Sequence, residues 1–103
     1  MRLNSKERFA ILSAFQSVLT CSYKLYLFGS RTDDTKKGGD IDLLVLVSCE
    51  DKDQIINLKS KLKLEIFKNI PEQKIDITVA TDQELKTDLF LSSLKDHMLP
   101  LSD

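Results

Sequence analysis

Little in this chain of 103 residues is unusual, and each shortage excludes something. There are two cysteines, Cys21 and Cys49. That is too few for a disulfide framework, and no second pair suggests a zinc site. Their apolar neighbours predict reduced, partly buried thiols. The charge of −1 gives no general attraction to nucleic acid or to an anionic membrane. No apolar run approaches the length of a membrane span. The first residues, Met1 to Glu7, turn polar at once, which does not suit the core of a signal peptide and predicts a cytoplasmic protein. His97, the single histidine, falls near the end of the last expected helix, where a surface role outweighs catalysis. No repeat, linker or low-complexity tract is visible.

What remains is an ordinary globular composition, 42% hydrophobic and 30% charged, expected to form one domain over residues 1–103. Asn4 with Glu7 resembles a capping pair, followed by Phe9, Ile11, Leu12, Phe15, Val18 and Leu19 at helical spacing. Tyr23 to Phe28 reads as a strand closed by Gly29. Residues 32–39 are polar or glycine and read as an exposed loop, with Asp33, Asp34, Lys36 and Lys37 as solvated charges. Ile41 to Val47 is the strongest strand pattern. Beyond Asp42 it is apolar on both faces, as a central strand should be.

Asp51 to Asn69 predicts one helix with Ile55, Leu58, Leu62 and Ile66 facing inward. Lys74 to Val79 alternates as a third strand, with Lys74, Asp76 and Thr78 opposite Ile75, Ile77 and Val79. Thr81 and Glu84 suggest another capped helix carrying Leu85, Leu89 and Leu94 on one side and ending before Pro100. The order is α-β-β-α-β-α: a mixed α/β (α+β) sheet flanked by helices. The first two strands should be antiparallel; the second and third should be parallel, through a right-handed crossover.

These directions bring three features to one edge of the sheet. The first strand ends there with Gly29-Ser30-Arg31. The second begins there with Asp40-Ile41-Asp42, and the third begins there with Asp76. Asp40 and Asp42, two apart on a strand, share a face. Carboxylate oxygens with retained waters and substrate phosphates are what magnesium prefers, and two such ions can stabilise both oxygens of an in-line displacement at phosphorus. Gly29 permits close backbone approach to a phosphate, Ser30 adds a hydroxyl, and the Arg31 guanidinium matches phosphate oxygens. Taken singly, a Gly-Ser is usually only a turn and an Asp on a strand only a polar surface residue. It is their combination on one edge that points to nucleotide chemistry.

The run Gly29-Ser30-Arg31, the pair Asp40 and Asp42, and the strand Lys74-Ile75-Asp76-Ile77 resemble the motifs of the polymerase-beta-like nucleotidyltransferase superfamily. The short length resembles its minimal nucleotidyltransferase branch. The likeness spans about residues 24 to 80. It implies that fold, with Asp40, Asp42 and Asp76 as catalytic and magnesium-binding acids holding two ions. It implies Gly29, Ser30 and Arg31 as the binding site for ATP or another nucleoside triphosphate. It further implies an antitoxin that transfers a nucleoside monophosphate, AMP above all, to a hydroxyl of an all-helical HEPN-domain partner encoded by an adjacent gene. Two alternatives stay open. One is a non-catalytic nucleotide-binding module that neutralises a helical partner by contact. The other is a transferase acting on a small molecule of the aminoglycoside type.

Overall fold

The computed structural model describes residues 3–28, 41–94 and 98–101. The first helix, α1 (Ser5–Val18), opens on the expected capping box. The Asn4 side chain accepts from the Glu7 amide at 2.7 Å, and the Glu7 carboxylate accepts from the Asn4 amide at 3.1 Å. Each bond satisfies a backbone or side-chain group left unpaired at a helix start. The inward face of α1 is formed by Ala10, Ile11, Ala14 and Phe15, all buried. Phe9, two residues before Ile11 and so on nearly the opposite side of the helix from it, falls outside the buried face and is 65% exposed.

Strands β1 (Lys24–Phe28), β2 (Ile41–Leu46) and β3 (Ile75–Ala80) form with the directions expected. β1 pairs antiparallel with β2, and β2 pairs parallel with β3. A fourth strand, β4 (Leu99–Pro100), adds to the free side of β1, giving the order β3-β2-β1-β4. From sequence, Pro100 reads only as a helix stop. In the sheet it lies on an edge strand, where a residue without an N–H costs nothing. The Leu101 amide then donates to the Leu25 carbonyl at 2.8 Å, and Leu101 itself is buried.

One face of the sheet carries Leu25, Leu27, Ile41, Leu43, Val45, Ile75, Ile77 and Val79. It is covered by α1 and by helices α2 (Lys52–Asn57) and α3 (Lys59–Phe67), which contribute Ile55, Leu62 and Ile66. The single helix expected over residues 51–69 is divided at Leu58, where the amide bonds to Ile55, three residues back, at 3.0 Å. Asn57, a weak helix former, precedes this tightened turn.

The second face carries Phe28, Leu44, Leu46 and Ala80, covered by a smaller cluster with Leu91, Leu85 and Met98. Its cover is α4 (Asp82–Thr87) and α5 (Leu89–Leu94). The Thr81–Glu84 capping box forms as expected, but the helix does not run on. Asp88 adopts an extended conformation, and its side chain accepts from the Leu91 amide at 3.1 Å. A new helix therefore starts at a different phase. Leu91 is buried, whereas Leu89, expected on the packed side, is 89% exposed.

Candidate functional site

The alternation of β2 sets Asp42, Leu44 and Leu46 on the second face and Ile41, Leu43 and Val45 on the first. The registers then fix what surrounds Asp42. Its partner across the parallel ladder is Asp76, and across the antiparallel ladder it is Phe28. Phe28, Asp42 and Asp76 thus form one transverse row at the edge where β1 ends and β2 and β3 begin. The next row inward is Tyr26, Leu44 and Thr78. Both ends of the parallel ladder are pinned by further bonds: the Ile41 amide donates to the Lys74 carbonyl at 3.2 Å, and the Val47 amide to the Ala80 carbonyl at 2.9 Å. A one-residue slip of either strand would turn its acid toward the large core, so burial of the first face also holds the register.

Adjacent strands lie about 4.8 Å apart, so two in-register carboxylates on one face are within reach of a shared cation. Asp42 is half-buried and Asp76 exposed, with Phe28 buried beside Asp42. A half-buried inner carboxylate beside an outer one open to solvent suits a hard cation that keeps waters and phosphate oxygens in its shell. On that ground the donor set fits magnesium.

Gly29, Ser30, Arg31 and Asp40, as well as His97, lie outside the described residues. The stretch that holds the first four is joined covalently to Phe28 and Ile41, which belong to neighbouring strands. Sequence reasoning brought Asp42 and Asp76 to one edge. It did not single out Phe28, although strand alternation places that residue beside Asp42.

Two grooves among the described residues lie elsewhere. A depression of about 600 Å³ opens at the opposite end of the sheet, lined by Cys21, Tyr23, Lys24, Ser48, Asp51 and Asp82 among others. A second, of about 380 Å³, lies between the start of α1 and residues 70–73. Neither is lined by Asp42 or Asp76. In the first groove, burial pushes the Cys21 thiol above its ordinary range, helped by the negative charge of Asp51. Burial likewise raises the Tyr23 hydroxyl, followed by the effect of Cys21. Cys49, expected to be partly buried, is exposed because it sits in the turn after β2.

Near that same end, the Lys52 ammonium donates to both carboxylate oxygens of Glu84, at 2.8 and 2.7 Å. This bond chiefly holds the Glu84 carboxyl below its usual range, with the Thr81 amide contributing. The pair ties α2, on the first face, to α4, on the second.

A mixed four-stranded sheet with helices on both faces and acids on adjoining parallel strands is the polymerase-beta-like nucleotidyltransferase architecture. The family model described as "Polymerase beta, Nucleotidyltransferase" matches residues 22–99, and the chain belongs to that family. Among solved structures, it is similar in fold to the crystal structure of a candidate nucleotidyltransferase from Sulfolobus solfataricus. The TM-score is 0.50 at 16% identity, with 97% of this chain and 89% of that one covered. No curated protein matches the chain in sequence. Among the described residues, no helix is long and apolar enough to cross a membrane.

Proposed function

We propose that the protein is a magnesium-dependent nucleotidyltransferase that moves a nucleoside monophosphate, AMP from ATP, onto a hydroxyl of a partner protein. The observation that carries this reading is the register of Asp42 against Asp76 on the open edge of the second face. Family membership supports nucleotidyl transfer as the reaction class.

In this reading Asp40, Asp42 and Asp76 hold two magnesium ions, and Gly29, Ser30 and Arg31 hold the triphosphate. Bound magnesium would supply positive charge to the entering and leaving oxygens at the α-phosphorus. Asp76 accepts the proton of the attacking hydroxyl. The hydroxyl oxygen bonds to the α-phosphorus as the bond to the bridging oxygen breaks, and pyrophosphate leaves. Phe28 shields the inner side of Asp42 from water, which strengthens its electrostatic interactions.

The exposure of Asp76 on edge strand β3 supports a macromolecular acceptor, since a hydroxyl carried by a large partner can approach it from solvent. The resemblance to minimal nucleotidyltransferases makes that partner an all-helical HEPN-domain protein encoded next to this one, and this chain its antitoxin. The test is incubation with α-labelled ATP, magnesium and the adjacent gene's product. The reading expects label on the partner and its loss with Asp42→Asn. Label transfer that survives Asp42→Asn would sink the assigned role of the acids.

A further inference from the structure

Among the described residues, one cation, Lys74, shares the face and the edge of the acid row. The Lys74 carbonyl accepts from the Ile41 amide at 3.2 Å, so the backbone of Lys74 continues the β2–β3 ladder one residue outward from Ile75. Gln73, its neighbour, donates to the Glu7 carboxylate on α1 at 3.3 Å, which fixes that residue toward the first face. Strand alternation then assigns Lys74 to the second face, two residues before Asp76 and diagonal to Asp42. Lys74 is exposed. Two residues of strand span about 6.6 Å, and a lysine stem covers such a distance. The ammonium of Lys74 is therefore within reach of the outer rim of the two carboxylates.

We propose that Lys74 is a phosphate-binding residue of the nucleotide site, engaging the outer phosphates of a nucleoside triphosphate whose α-phosphate lies over Asp42 and Asp76. The inference rests on the function proposed above and deepens it. Two acids and their metal ions neutralise the inner part of a triphosphate; Lys74, the described lysine that shares both the face and the edge of the acids, adds a positive charge for its outer oxygens beside Arg31. Lysine serves there as a mobile point charge, able to follow pyrophosphate as it departs.

The test measures calorimetric binding of magnesium–ATP and, separately, of magnesium–triphosphate. It uses the wild type, Lys74→Gln, Lys74→Arg, Lys61→Gln and Asp42→Asn. Lys61, exposed on the helix covering the first face, controls for simple loss of charge. Lys74→Gln should weaken both probes about tenfold, the effect of one charge-assisted phosphate contact, with Lys74→Arg retaining most of the affinity and Lys61→Gln unchanged. The melting temperature of each variant is read alongside, so that a loss of folding is told apart from a loss of binding.

Unchanged binding in Lys74→Gln while Asp42→Asn loses it overturns the role of Lys74 alone. An equal loss in Lys61→Gln overturns it too, as a long-range charge effect. Binding indifferent to Asp42→Asn refutes the underlying reading of the acids, and Lys74 falls with it.

Discussion

Replacing Glu84 by Gln removes the charge from the clamp between α2 and α4 while leaving an oxygen that can still accept from the Thr81 amide. The substitution therefore isolates the ion pair from the capping box, where Gln is an accepted alternative to Glu. The two side chains are 29% and 39% exposed, and the ammonium is bonded to both oxygens. Such a pair belongs at the upper end of the surface range, about 1 kcal/mol after allowance for solvent screening. For a domain of this size that corresponds to a fall in melting temperature of about 4–8 °C near neutral pH.

The effect has a defined pH dependence. The folded carboxyl titrates below its unfolded value, so its stabilisation is present above the ordinary glutamate range and is lost as pH falls through the lowered value. The gap between wild type and Glu84→Gln should accordingly close in strongly acidic buffer. Thermal melts followed by circular dichroism at both pH values, with Lys52→Met and the double variant, complete the cycle. A gap that persists in acid, or single effects that simply add, would refute the assignment of this stabilisation to the Lys52–Glu84 pair.

Two other outcomes follow from burial. Leu43→Ala empties a fully buried position on the central strand and should cost about 2–5 kcal/mol in urea denaturation, with an unchanged m-value. The thiols should separate under iodoacetamide in mildly alkaline buffer, monitored by peptide mass spectrometry. Exposed Cys49 should label first, and Cys21 later, because burial keeps it protonated.

The parts of the fold legible in the sequence are those with strong alternation. Ile41 to Leu46 and Ile75 to Ala80 each reveal their faces in the order of their residues, and their directions alone bring Asp42 and Asp76 to one edge. The two capping boxes were equally legible, because each is a short-range pairing with its own chemistry.

The missed features depend on contacts distant in sequence or on a change of phase. β4 is two residues long and exists because the edge of β1 is there to receive it. Asp88 is one polar residue in a leucine-rich stretch; only its bond to the Leu91 amide turns it into a cap, rotating Leu89 outward. The break at Leu58 has no proline or glycine to announce it. Cys49 looked partly buried because its apolar neighbours belong to the strand it has just left.

The central claim is that Asp42 and Asp76, from two strands, act as one metal and nucleotide site. Calorimetric titration of magnesium–ATP into the wild type, Asp42→Asn, Asp76→Asn and the double variant tests it most directly. Residues that act as a unit are not additive, so each single variant should lose at least about tenfold in affinity and the double variant no more than the worse single one. Wild-type affinity in either single variant, or losses that multiply in the double, would contradict it.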